Sequence, residues 1–174
     1  MRARNKKTVA EILRRFNRGD KDFKNITLET SDLSKKRLVG IIFEGATLMG
    51  CNFEKSNLKG ASFSAANLRE ANFKGADLSK ANLKGADLRG AIMRSVNLNG
   101  ADLRWANLEG VNLAGSNISG ANFDGTNLKN ANLKGTDPGK LWWKANLDEA
   151  KLDGTILPDG TVFGQAGVTQ EQPE

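Results

Sequence analysis

Large apolar residues recur at every fifth position along most of this chain. The register runs through Phe23, Leu28, Leu33, Leu38, Phe43, Leu48 and Phe53, then onward through Met93 and Ile118 to Phe123, Leu128 and Leu133. Two residues before a centre the chain most often places something small. Ala61, Ala66, Ala71, Ala76 and Ala81 hold that slot, with Cys51, Ser56, Ser116 and Thr126 as variants. Asn or Asp stands between the two, as at Asn67, Asn72 and Asp77, and Gly is commonest two residues after the centre. A period of five matches neither the 3.6 of a helix nor the alternation of a long strand. It suits a short extended piece followed by a turn, repeated many times.

In an extended piece the centre and the small residue two places before it share one face. The Gly supplies a turn position at which positive φ carries no steric cost, and the Asn or Asp can bond to nearby backbone. One such unit cannot bury its apolar face alone, so successive coils must stack, with backbone groups pairing between coils at about 4.8 Å. The expected object is a tube whose interior is a column of Leu and Phe. The phenylalanines suggest the size of one coil. Phe23, Phe43, Phe53, Phe63, Phe73 and Phe123 are separated by multiples of ten, so four pentapeptides per coil would put every Phe on two opposite sides. Leu28, Leu48, Leu68, Leu88, Leu108 and Leu128 would then form a column of Leu alone, which alternates bulk across a narrow interior.

The runs "ANLKGADLRG", "ADLRWANLEG" and "ANFDGTNLKN" resemble the pentapeptide-repeat family, whose pattern is A-(D/N)-L-x-x, and in particular its small bacterial and cyanobacterial members. The resemblance spans residues 21–135 without a gap and resumes after residue 144. It implies an all-β fold, a right-handed four-sided parallel β-helix with four pentapeptides per coil.

Open solenoid ends call for caps. "TVAEILRRFNRG" reads as a short amphipathic helix closing the N-terminal end. Thr8 and Glu11 fit a capping box, Val9, Ile12, Leu13 and Phe16 form one stripe, and Gly19 stops the helix. The stripe is expected to lie over the first coil, near Phe23 and Leu28. Arg18-Gly19-Asp20 copies a short adhesion motif, but a helix stop explains the triplet. The expected organisation is a cap over residues 1–20, the β-helix over 21–135, an irregular loop over 136–144, final repeats and a turn over 145–163, and a flexible tail over 164–174. Pro138 stands where an inward Leu belongs, and the irregular segment is read as Thr136–Lys144. Repeats are expected to resume at Leu147 and Leu152, and "TILPDGTVF" to end in a Pro-Asp-Gly turn. The loop carries Leu141, Trp142 and Trp143. The third tryptophan, Trp105, occupies a position usually given to Gly, one coil before Gly125. Trp105, Leu141, Trp142 and Trp143 form the candidate interaction patch. Gly125 leaves room for a flat indole to lie across the wall, and the loop is expected to fold back along that side toward Trp105, either as a contact site or as a local plug over the β-helix.

Charge adds less than the pattern does. The formal net charge is +6, with seven basic and two acidic residues in 1–20, sixteen and eleven in 21–135, and three and seven in 136–174. A solvated, charged helix accounts for the basic arm. No run of eighteen apolar residues exists and the basic N-terminus lacks a continuous apolar stretch, so neither a membrane span nor a signal peptide is expected. A single cysteine, Cys51, excludes an internal disulfide and fits a reducing, cytoplasmic setting.

Catalysis finds little support. The chain has no His, Cys51 sits in the small inward slot, the acidic residues occupy the Asn/Asp repeat position, and the glycines follow a five-residue clock unrelated to phosphate loops. No cofactor, metal or small-molecule substrate is expected. A non-catalytic interaction or structural scaffold is the leading expectation, with a protein partner or a homodimer. The alternative comes from family members that resemble double-stranded DNA in width and charge and act on DNA gyrase. That mimicry needs long acidic stripes. The residues that follow each centre (Lys24, Glu44, Ser64, Lys84, Arg104 and Asp124 on one side, and similarly on the others) give none. Acids and bases are mixed on every side except the nearly neutral fourth, outward rings are too few to stack bases, and nucleic acid is not an expected partner.

Overall fold

The computed structural model describes residues 8–137 and 149–164. Each pentapeptide contributes one residue to a parallel bridge with a residue twenty positions on. Asp22 pairs with Ile42, Thr27 with Thr47, Asp32 with Asn52 and Arg37 with Asn57, and the pattern continues to Asn117 with Asp137. Four pentapeptides therefore make one coil. They stack in four columns, numbered here from the pentapeptides centred on Phe23, Leu28, Leu33 and Leu38. Each centre donates its amide to the coil above, as Phe53 does to the Asn72 carbonyl at 2.7 Å. The preceding residue donates to the coil below, as Asn52 does to Ser31 at 2.9 Å. Every coil is thus tied to both neighbours by main chain.

The apolar centres from Phe23 to Leu133 turn inward and are buried almost completely. Phe23, Phe43 and Phe63 stack up the first column, while Phe53 and Phe73 face each other in the third with ring centroids 4.9 Å apart and planes within 6°. Coils turn through bonds such as that from the Ala71 amide to the Leu68 carbonyl, 3.1 Å. The residue two after each centre has positive φ, as type II turns require at their third position. Gly75 (66°) meets this at no cost, whereas Thr30 (51°), Lys55 (54°) and Trp105 (56°) hold the same conformation with a side chain. The Asn/Asp before each centre braces the turn, for example through the Lys74 amide to Asn72 Oδ1 at 3.0 Å. Some also bond along the column, as from Asn72 Nδ2 to Asn52 Oδ1 at 3.1 Å.

Helix α1, Val9–Asn17, caps the first coil. Thr8 accepts from the Glu11 amide at 3.2 Å, and Gly19 (φ 93°) ends the helix. Ile12 is buried against the core, with Val9, Leu13 and Phe16 partly buried beside it. Arg15 fastens the junction. Its guanidinium holds Asp20 at 2.6 Å and lies over the Phe23 ring at 4.8 Å. Arg18-Gly19-Asp20 is thereby occupied as a helix stop.

The irregular segment begins later than expected. Thr136 and Asp137 still belong to the coil, since Asp137 bridges Asn117 and its amide bonds the Ser116 carbonyl at 2.8 Å. The reason is that only Pro138, at the following centre, departs from the pattern; Asp137 is an ordinary residue for its position. Beyond the break, Asn127 bridges Lys151 and Asn132 bridges Ile156, an offset of twenty-four. The ladder resumes in its own columns with four residues added, and Leu152 is again a buried centre. Leu147, the loop residues 138–144 and the tail beyond Gly164 lie outside the described residues. The last turn runs through Pro158-Asp159-Gly160, closed by the Gly160 amide on the Leu157 carbonyl at 2.9 Å and by an antiparallel bridge from Ile156 to Val162.

Most polar variants of the small slot share one recurring bond to the coil below; Ser56 instead donates to the Phe53 carbonyl of its own coil at 2.6 Å, and the buried Thr136 hydroxyl has no partner among the described residues. Ser116 and Thr126 donate to the carbonyls of Met93 and Leu103, the centres twenty-three residues earlier, at 2.8 and 2.7 Å. Thr155 reaches Leu128 at 2.6 Å, its offset lengthened by the same four residues. Cys51 donates to Leu28 in the same way. Burial pushes the Cys51 thiol up to about 11 from an ordinary 9.0. Its folded form keeps the proton to higher pH than its unfolded form. Its contribution to stability is therefore complete below pH 9 and is lost as pH rises from 9 to 11. Against Cys51→Ala, which restores the commonest residue of the slot, the wild type is expected to lose stability selectively across that window. Native protein is also expected to resist thiol reagents until it unfolds. Rapid labelling at pH 8 without unfolding would contradict this.

Candidate protein-interaction surface

Among the described residues the large exposed apolar side chains are Ile92 and Trp105. Trp105 sits at a turn in the first column and is 54% exposed. Its left-handed backbone costs roughly 1–2 kcal/mol relative to Gly, so the sequence carries an indole where the fold favours Gly. The ring packs against the next coil at Gly125. A Cβ added to Gly125 would collide with indole Cδ1 and lie 2.6 Å from Nε1. The room expected at Gly125 for an indole is taken by that of Trp105.

Two cations flank the ring. Lys84 Nζ, one coil below, stands 4.6 Å from its centroid, and Arg104 Cζ 5.8 Å. Arg104 is also bound to Asp102 through two bonds of 2.9 and 2.7 Å. Hydrogen bonding from Arg104 holds the Asp102 carboxyl below the usual range, and the charge of Lys84 acts in the same direction. The site is an indole with one face on a glycine wall and a partly neutralised cationic rim. Its chemistry is suited to contact, and no group of three or more His, Cys, Asp or Glu among the described residues could hold a metal. Leu141, Trp142 and Trp143 lie outside the described residues, so the patch is represented by Trp105. Lys84 was missed from the sequence, although its position next to Gly85, twenty residues before Trp105, contained the signal.

Gly125→Ala is expected to destabilise the protein by about 1–2 kcal/mol, because a methyl group meets both a positive φ and the indole. In a Trp142→Phe/Trp143→Phe background the same change should shift Trp105 emission to the red as the ring swings off the wall. An unshifted spectrum would contradict the packing.

The family profile described as pentapeptide repeats matches in eight copies over residues 31–64, 56–94 and 97–135. Similar solved structures include a pentapeptide repeat protein of the Arabidopsis thaliana thylakoid lumen, 36% identical over 61% of this chain and 69% of that one, TM-score 0.33. HetL, involved in heterocyst differentiation regulation in the cyanobacterium Nostoc sp. strain PCC 7120, is 25% identical over 90% and 99%, TM-score 0.22. QnrB1, a plasmid-mediated fluoroquinolone resistance protein, is 22% identical over 75% and 83%, TM-score 0.35. No curated protein matches the chain. With its five-residue register, twenty-residue ladder and a profile match over more than half its length, the chain belongs to the pentapeptide repeat family.

Proposed function

We propose that the coils wind right-handed into a four-sided rod that acts as a non-catalytic interaction scaffold in a reducing, cytoplasmic setting. Trp105, with the loop residues Leu141, Trp142 and Trp143, forms its protein contact, to a second copy or to another protein. The observation that carries this reading is the exposed indole of Trp105, kept in a conformation better suited to Gly and set between Lys84 and Arg104. Trp and Arg are favoured anchors of protein interfaces. Trp105→Gly relieves the backbone while removing the contact, so it separates binding from folding. Sedimentation velocity and affinity capture should show that Trp105→Gly and Trp142→Ala/Trp143→Ala each lose an association the wild type makes, with thermal stability no lower than that of the wild type. Associations surviving both variants would remove the reading. A DNA-mimic action on gyrase is disfavoured because acids and bases balance on the first two columns and bases prevail on the others. Concentration-dependent inhibition of supercoiling would reverse that order.

A further inference from the structure

The bridges assign every outward side chain to a column, which corrects a charge reading based only on the residue after each centre. Over residues 21–135 the first and second columns together hold seven basic and eight acidic residues. The third and fourth, which adjoin, hold nine basic and three acidic, so the whole positive excess of the coils lies there. The third carries Lys35, Lys55, Lys74, Arg94 and Lys134, and the fourth carries Lys36, Arg37, Lys59 and Lys80, all exposed.

Pairing sharpens the contrast. On the first two columns Lys24, Arg89, Arg104 and Lys129 are salt-bridged to carboxylates at 2.7–3.1 Å. On the other two, only Lys55 has a carboxylate within range, Glu54 at 3.8 Å, among the described residues. The acids there are engaged by their own wall. Asp32 accepts from the Ser34 amide and Asn52, and Asp77 from the Ser79 amide and Asn97, at 2.9–3.2 Å.

We infer that the third and fourth columns form a docking stripe for the phosphate backbone of a duplex nucleic acid. From Lys35 to Lys134 the stripe climbs five coils, about 24 Å at the spacing between strands. A duplex presents about fourteen phosphate charges over that length. A long, narrow row of cations, all but Lys55 without a carboxylate in range among the described residues, on a chain of pI about 9.5 is the footprint of a linear polyanion. Single strands are bound on aromatic platforms, and these columns present no outward aromatic among the described residues. A lipid surface would engage apolar side chains as well as cations, and among the described residues of these columns Ile92 is the one large exposed apolar side chain. The contacts go to the backbone, so binding is independent of base sequence.

The test is fluorescence anisotropy of the full chain with a labelled 30-base-pair duplex DNA between 50 and 200 mM KCl. Five phosphate contacts give a slope of log K against log salt of about −4.5, a weakening of roughly 500-fold across that range. Lys74→Glu/Arg94→Glu should lower the slope magnitude by about two and weaken binding at least tenfold at 50 mM salt. Lys74→Gln/Arg94→Gln, a milder pair, should move both in the same direction. Arg69→Glu, on the second column, should change neither, and circular dichroism of all variants should match the wild type. Absence of binding at 50 mM KCl, or equal losses in Arg69→Glu, overturns the inference. Tighter binding to a 30-nucleotide single strand, or to phosphatidylserine vesicles, overturns it as well.

Discussion

Phe53→Ala is expected to cost about 3–5 kcal/mol in urea unfolding, the upper range for deleting a buried ring. Phe53 is fully buried, stacked on Phe73 and edge-on to Phe63 at 5.8 Å with planes 78° apart. The size of the loss depends on whether the surroundings can close over the vacancy. They have little freedom to do so, because the wall around Phe53 is bonded to the coils above and below. The amides of Phe53 and Asn52 hold Asn72 and Ser31 at 2.7 and 2.9 Å. Phe123→Leu offers the contrast. Phe123 has no aromatic neighbour within stacking range among the described residues, and Leu fills most centres, so a loss below about 1.5 kcal/mol is expected. Equal effects at the two sites would show that the rings are interchangeable filler.

Ile12→Asp is expected to undock α1, with a loss of about 3 kcal/mol or more and the appearance of concentration-dependent oligomers. The substitution removes a fully buried aliphatic group and places a carboxylate in the apolar core. The second effect follows from the ladder. In later coils the residue before each centre donates its amide to the coil below, but Thr27, Asp32 and Arg37 have no coil below them. With the helix displaced, this edge resembles any uncovered strand and can pair with another chain. Sedimentation velocity across a tenfold concentration range checks the outcome. A destabilised protein that stayed monomeric would mean that the helix contributes burial without protecting the edge. Arg15→Ala should act more mildly, since it removes the Asp20 pair and the Phe23 contact while leaving the apolar stripe.

The parts of the molecule that repeat were readable in the sequence. The inward centres, the coil of twenty and the stripe of α1 each rest on periodicity, and a repeated pattern averages out local ambiguity. Features that occur once were harder. The register marks residue 55 as a turn position, but a Lys there, held at positive φ without the freedom of Gly, is an exception that the pattern does not explain. The bond from Thr126 to Leu103 needs the coil offset before the hydroxyl has a partner. At the candidate site Trp105 was conspicuous as an exception to Gly, whereas Lys84 becomes its neighbour only when the columns are assembled. The charge asymmetry was present in the sequence throughout. It stayed hidden because the residue after each centre is only one of the outward positions; Lys35, Arg37, Lys55 and Lys80 occupy others, and Lys36 is exposed at a slot usually filled by a small inward residue.

The lengthened coil between Asn127 and Lys151 shows that the ladder can receive extra residues and return to the same columns. Sequence added between Asp137 and Glu149 is therefore decoupled from the periodic frame on either side. That interval is a natural grafting point, where a foreign epitope or sensor peptide could be displayed at a fixed height on a stiff support while the remaining coils keep their alignment.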